Sequence, residues 1–138
     1  MHGSQPPRPA GKRILVVEDN ELNLKLLQDL LEFQGYTILV SSLGATAIEI
    51  ARQQRPDLIL LDIQLPDISG TEVAYQLKAN EGTRSIPIVA VTAFAMAGDR
   101  ERILESGCDD YIAKPFSVRD FLALVERYAD VDKATNRI

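Results

Sequence analysis

The stretch PDLILLDIQLPDISG, residues 56–70, does most to decide how this chain folds. It begins with an uninterrupted apolar run, residues 58–61, which is typical of a strand buried on both faces of a parallel sheet. An acidic residue, Asp62, stands where that strand ends. Further along, Ser69 and Glu72 have the spacing of a capping box, which predicts that a helix begins at Ser69.

Apolar runs and helix-period segments alternate in the same way on either side of this stretch. The other predicted strands are residues 14–17, 37–40, 86–91 and 111–113, and the predicted helices are residues 20–34, 45–54, 69–79, 98–105 and 117–130. Strands and helices that alternate in this way predict an α/β three-layer sandwich around a parallel sheet. We predict the strand order 2-1-3-4-5, one of two common orders, whose switch point lies between the first and third strands.

Composition and charge narrow the function classes. The chain has 138 residues, 46% of them hydrophobic and 25% charged, which is typical of one globular domain. No apolar run approaches the roughly 20 residues of a membrane span, and the N-terminus lacks a secretory pattern, so we expect a cytoplasmic location and no membrane partner. The net charge of -5, without a run of Lys or Arg, argues against nucleic acid as a partner.

We expect one domain, residues 13–130, between two tails. Residues 1–12 are rich in Pro, Gly and polar side chains, which is typical of a flexible tail or a remnant of cloning. Residues 131–138 are polar and form a second tail. The single cysteine, Cys108, cannot form an internal disulfide, which fits a reducing cytosol, and we interpret it as a small buried hydrophobic residue.

Acidic residues follow two strands that the predicted topology places side by side: Glu18 and Asp19 after the first, Asp62 after the third. Like charges repel by about 1–4 kcal/mol per pair at roughly 4 Å, so such a cluster needs a cation. Oxygen ligands without His or Cys favour Mg²⁺. Each acid alone could instead be an ordinary loop carboxylate, and Asp19 or Asn20 could cap the first helix.

Two more polar residues stand at neighbouring strand ends, Thr92 after the fourth strand and Lys114 after the fifth. Alone, Thr92 would be an ordinary β-branched strand residue and Lys114 a solvated lysine. Together with the acids they suit phosphoryl transfer to a carboxylate. Asp62 would attack, a metal and the lysine would stabilise anionic oxygens, and the hydroxyl would donate a hydrogen bond to them.

Four motifs, ILVVEDN, PDLILLDIQLPDISG, VAVTAF and GCDDYIAKPF, give the chain a specific resemblance over about residues 13–130. It resembles the receiver domains of two-component response regulators, which implies a flavodoxin-like, CheY-like (βα)5 fold. Within that family it most resembles the single-domain regulators of bacterial cell polarity and division. The stretches NELNLKLLQDLLEFQGY and AVTAFAMAGDRERILESGC carry this closer likeness.

The resemblance implies that Asp62 accepts a phosphoryl group from a histidine kinase or a phosphotransfer protein. Glu18, Asp19, Asp62 and the backbone carbonyl of Gln64 would hold Mg²⁺. Such a chain is a phosphoacceptor in a two-component phosphorelay rather than an enzyme, because it catalyses only its own phosphorylation and dephosphorylation. Nothing after Asp130 looks like an output domain, so we expect it to act through protein contacts, as a monomer or weak dimer.

The resemblance also assigns a switch. Thr92 would grip the phosphoryl oxygens, Lys114 would pair with them, and Tyr111 would turn inward when Thr92 moves. The bond to Pro115 is expected to be cis. The fourth helix, fifth strand and fifth helix would form the output face. Separately, the small residues and the glycine at residues 94–98 indicate a loop that is able to rearrange, although an ordinary helix-entry loop fits them equally well.

Gln64 and Phe94 occupy the positions that tune the lifetime of the phosphorylated state in this family. Because Phe94 cannot orient an attacking water, we predict slow self-dephosphorylation. The first helix carries more apolar residues than one core-facing stripe needs. We predict that Leu22 and Leu26, at one edge of this apolar arc, dock the kinase, although neighbouring helices could cover part of the excess.

Other functions on the same fold fit the residues less well. A phosphatase of the haloacid dehalogenase type needs a second Asp two residues after its nucleophile, where this chain has Gln64. A flavin or dinucleotide binder needs a glycine- or hydroxyl-rich loop after the first strand, where this chain has acids. A histidine phosphotransfer protein is excluded because the single histidine, His2, lies in the tail. A receiver excised from a hybrid kinase, or from a regulator with an output domain, stays open. The intact acid cluster, Thr92 and Lys114 argue against a receiver that binds without phosphorylation.

Overall fold

The predicted strands form one parallel sheet of order β2-β1-β3-β4-β5, as expected. A computed structural model describes residues 11–93 and 96–130. The strands are β1 (Arg13–Val17), β2 (Thr37–Ser41), β3 (Leu58–Leu61), β4 (Ile88–Thr92) and β5 (Asp110–Ala113). The helices are α1 (Glu21–Phe33), α2 (Gly44–Gln54), α3 (Gly70–Ala79), α4 (Asp99–Glu105) and α5 (Val118–Ala129).

The sheet divides the core into two layers because alternate side chains of each strand point to opposite faces. Leu15, Ile59 and Ala90 pack on one face against α2, α3 and α4, whereas Ile14 and Leu58 pack on the other against α1 and α5. The central strands β1, β3 and β4 are therefore apolar and buried almost throughout. This double burial explains their uninterrupted apolar sequences.

Local hydrogen bonds set where several helices begin. Asn20 caps α1, since its side chain accepts a hydrogen bond from the backbone N–H of Asn23 at 2.9 Å. Ser69 caps α3 by accepting from the N–H of Thr71. The capping box predicted there is incomplete, because Glu72 accepts instead from the side chain of Gln76, one turn along the helix. In the described part of the chain, no helix combines the length and hydrophobicity that crossing a membrane requires.

Candidate functional site

The register of the sheet brings the acids together. Val17 pairs with Leu61 in the ladder between β1 and β3, so the residues that follow these two strands are neighbours. The N–H of Asp62 donates to the carbonyl of Val17 at 3.0 Å. Glu18, Asp19 and Asp62 each offer an oxygen, and these oxygens lie within 4.8 Å of one another. Two of the three acids are buried and Asp19 is exposed, so the cluster forms at the wall of an open cleft of about 1260 Å³.

Lys114 brings a positive charge to this cluster. Its Nζ lies 3.1 Å from Glu18 Oε1 and 3.6 Å from Asp62 Oδ2. The N–H of Lys114 donates to the carbonyl of Thr92 at 2.8 Å, which fixes where the lysine leaves the sheet. The Lys114–Pro115 bond is cis, as predicted. One ammonium thus pairs with two carboxylates from different strands.

Thr92 closes β4 and is fully buried. Leu61 pairs with Ala90, so Thr92 lies one residue further along the strand direction than Asp62. Thr92 pairs with Ala113, the residue directly before Lys114. The structure thus brings Thr92, the acids and Lys114 together at one edge of the sheet.

Burial raises the pKa of Asp62 to about 6, and repulsion from Glu18 adds to this effect. The N–H of Gln64, which donates to Asp62 Oδ1 at 3.0 Å, and the charge of Lys114 both oppose it. Without a further cation, the site thus disfavours the ionised form of Asp62. A hard divalent cation fits this set of donors, since all of them are carboxylate oxygens and a single lysine leaves their repulsion unbalanced.

The loop after Asp62 contains a contact that the sequence analysis missed. Asp67 Oδ1 accepts from the N–H of Gly44 at 2.8 Å, and Oδ2 accepts from the N–H of Ala45 at 2.9 Å. These bonds lower the pKa of Asp67. A Cβ on Gly44 would lie 2.6 Å from a side-chain carbon of Ile68. Glycine is therefore needed at position 44 for the loop after β3 to pack this close to the start of α2. The loop that carries Gln64 is thereby fastened to the start of α2.

Tyr111 lies partly buried at the edge of the α2–α3 side of the core, and the guanidinium of Arg100 is 5.9 Å from its ring centre. Gln64 is exposed beside the cleft. Phe94, the other residue predicted to tune the lifetime, lies outside the described residues, as does part of the loop at residues 94–98. Cys108 is buried as expected, and burial raises the pKa of its thiol to about 11.

The apolar arc of α1 divides into a buried part and an exposed part. Leu27 and Leu31 are buried in the core, whereas Leu22 and Leu26 are 82% and 54% exposed. Leu22 lines the acidic cleft, and Leu26 lines a small apolar hollow that Lys114 also borders. The two leucines predicted to dock a partner therefore lie uncovered beside the site.

Comparisons with known proteins agree with this geometry. A family model described as "Response regulator receiver domain" matches residues 14–126. The polar-differentiation response regulator DivK of Brucella anthropi is 52% identical over 117 residues, which cover 85% of this chain and 95% of that protein.

Solved structures give the same result. One is the receiver domain of a sensor histidine kinase from Pseudomonas aeruginosa, with a magnesium ion coordinated in its active-site cleft. It is 38% identical, with a TM-score of 0.82, over 88% of this chain and 100% of that one. Another is the receiver domain of a histidine kinase from Syntrophus aciditrophicus. It is 31% identical, with a TM-score of 0.81, over 92% of this chain and 94% of that one.

Proposed function

The chain belongs to the response regulator receiver family and acts in two-component signalling, and we propose that Asp62 is the residue that takes the phosphoryl group. The geometry of this carboxylate carries the proposal. Its Oδ1 accepts from the N–H of Gln64, and its Oδ2 faces Lys114 at 3.6 Å. One oxygen is thus held in place, while the other lies at the cleft beside a cation. We take residues 13–130 as the receiver unit.

The proposed resident cation is Mg²⁺. Glu18, Asp19 and Asp62, with the backbone carbonyl of Gln64, would hold it. When bound, the ion would supply positive charge that offsets the charge of the carboxylates and of the phosphoryl oxygens. Its support is the set of clustered oxygen donors and the magnesium in the cleft of the Pseudomonas receiver domain.

In the proposed reaction, an oxygen of Asp62 forms a bond to phosphorus while the bond from phosphorus to a donor histidine nitrogen breaks. The imidazole that leaves takes up a proton, so the charge balances. Lys114 would then pair with the phosphoryl oxygens, and the hydroxyl of Thr92 would donate a hydrogen bond to them. A shift of Thr92 would allow Tyr111 to turn inward and alter the face formed by α4, β5 and α5.

The proposed partners are a histidine kinase or phosphotransfer protein and a downstream protein target. Leu22 and Leu26 would contact the kinase, because they lie uncovered next to Asp62 and Lys114. A role in cell polarity follows the likeness to DivK, whose name describes polar differentiation. We propose a cytoplasmic location, because kinases have access to ATP there. We also propose that the chain is not an enzyme and that it is a monomer or a weak dimer.

Intact mass after incubation with acetyl phosphate tests the acceptor. We expect one phosphoryl group on the parent chain with Mg²⁺ and none with EDTA. Asp62→Asn should remain unmodified, whereas Asp29→Asn, which changes an exposed acid paired with Lys25 on α1, should behave as the parent does. Phosphorylation of Asp62→Asn would assign the acceptor elsewhere. No modification of the parent under any condition would point to an interaction module that works without phosphate.

A further inference from the structure

A second cleft, of about 710 Å³, opens at the other edge of the sheet, where the strands begin. Five of the side chains that line it are cationic: Lys12, Arg55, Lys78, Arg84 and Arg127. Two of the lining residues, Asp57 and Asp109, are acidic. This concentration of positive charge runs against the net charge of -5 of the whole chain. We call it the basic cleft.

Both acids of the basic cleft are already engaged. Asp57 accepts from the N–H of Arg13 at 2.8 Å. Asp109 Oδ2 accepts from the N–H of Ile88 at 2.8 Å and from Lys78 Nζ at 3.0 Å. Lys78 is thus paired with Asp109, whereas Asp57 keeps its charge, because a backbone N–H is a neutral donor. The five cations therefore exceed the two acids of the cleft by three charges.

Lys12 and Arg55 have no carboxylate within ion-pair distance among the described residues. Arg84 and Arg127 pair only loosely, at 3.5 Å to Glu81 and 3.7 Å to Asp110. Exposed pairs of this kind contribute little and can exchange partners readily. Four cations are therefore able to turn toward an anion in the cleft.

Arg55 has a backbone conformation that its residue type does not favour. It follows α2 with φ 48° and ψ 65°, in the left-handed region where glycine is the usual residue. Its side chain is not needed to cap the helix, because the guanidinium of Arg13 donates to the carbonyls of Gln54 and Arg55. At this strained position, the guanidinium of Arg55 has no hydrogen bond or ion pair with the residues that the structure describes.

We propose that the basic cleft binds a small anion that carries two or more phosphate groups, either inorganic polyphosphate or the phosphate chain of a nucleotide. Guanidinium groups bind phosphate oxygens in pairs, and the cleft lies within the range of about 300–1,000 Å³ typical of small-molecule sites. The proposal does not depend on the function of Asp62, which lies at the opposite edge of the sheet.

The test uses the full chain in EDTA, titrated with tripolyphosphate and separately with ATP, and followed by calorimetry and amide NMR shifts. We expect saturable binding that shifts the amides of Arg55 and Gly82. Equal affinity for the two probes would identify the phosphates alone as the ligand, whereas tighter binding of ATP would identify a nucleotide.

The decisive variant is Arg55→Gly, which removes the guanidinium while favouring the left-handed backbone, so it should not lower the unfolding midpoint. We expect affinity to fall about tenfold with it, because charge-assisted hydrogen bonds are lost. Arg52→Ala is the matched control, since this arginine lies on the same helix, pairs with Glu49 and does not line the cleft. Equal losses in both variants, or no saturation of the parent at millimolar probe, would overturn the proposal.

Discussion

Asp62 combines two requirements that conflict at low pH. In its proposed role it has to be ionised to hold a metal or attack phosphorus, yet burial raises its pKa to about 6 from the usual 3.8. Because the folded pKa is raised, the metal-free native state keeps this proton between about pH 4 and 6, where the unfolded chain loses it. Ionisation of Asp62 therefore costs the metal-free fold stability as the pH rises through that window.

The same shift predicts how Mg²⁺ binding responds to pH. Below about pH 6 a proton competes with the cation for Asp62, so the apparent affinity for Mg²⁺ should fall up to about tenfold per pH unit, and it should level off above that pH. Calorimetric titration between pH 5 and 8 measures this. An affinity that stays constant from pH 7 to pH 5 would show that Asp62 is not a ligand or that its pKa lies lower. Asp29→Asn should follow the parent curve.

Helix α2 and the loop after β3 are held together by one carboxylate. Asp67 supplies the N-terminal hydrogen bonds that Leu43, the residue before α2, cannot supply from its own side chain. Asp67→Ala should lower the thermal midpoint and weaken Mg²⁺ binding, because the loop also carries Gln64. Asp67→Asn keeps one acceptor oxygen, so its thermal midpoint and its affinity for Mg²⁺ should lie between those of Asp67→Ala and the parent chain. Wild-type values for Asp67→Ala would mean that packing of Gly44 against Ile68 holds the loop alone.

Helix α1 offers adjacent leucines with opposite surroundings. Leu26 is 54% exposed, whereas Leu27 is 3% exposed. Leu26→Ala should change the free energy of unfolding by no more than about 0.5 kcal/mol, whereas Leu27→Ala should cost about 2–5 kcal/mol. If the exposed face docks the kinase, phosphotransfer to Leu26→Ala and Leu22→Ala should slow while phosphorylation by acetyl phosphate stays normal. Unchanged transfer to both variants would remove them from the interface.

Most of the elements could be predicted because they have a local cause. Uninterrupted apolar runs indicated strands buried on both faces, and Asn20, Ser69 and Ser117 stand at the helix starts that their side chains cap. Polar residues at strand ends could be placed together because parallel strands all end at one edge of a sheet. The fold and the cluster around Asp62 therefore followed from short stretches of sequence.

Contacts between distant segments could not be predicted in this way. Asp67 caps a helix that begins 22 to 23 residues earlier, at a distance that no capping motif covers. The lack of a Lys or Arg run in the sequence argued against nucleic acid as a partner, but it does not reveal cations that separate segments bring together. Lys12, Arg55 and Arg84 come from separate segments, and only the topology brings them to one cleft.

The whole molecule separates its charges along the strand direction, with the acid cluster where the strands end and the basic cleft where they begin. The acid cluster stands at the neighbouring ends of β1 and β3, whose residues belong to both core layers, so a cation bound there would link two central strands. The unfolded chain has no such cluster. Binding of Mg²⁺ should therefore stabilise the whole domain rather than one loop.

Because Mg²⁺ should stabilise the whole domain, its effect can be measured by unfolding the chain in urea. If the domain unfolds in one step, Mg²⁺ at about 100 times its dissociation constant should add about 2.7 kcal/mol to the free energy of unfolding, and the gain should rise with the logarithm of its concentration. Asp19→Asn removes one exposed carboxylate of the proposed site without disturbing the core, so its gain at the same Mg²⁺ concentration should be smaller. Asp29→Asn should gain as much as the parent. Equal gains in all three proteins would mean that Mg²⁺ acts as a general counter-ion rather than at the cluster of Glu18, Asp19 and Asp62.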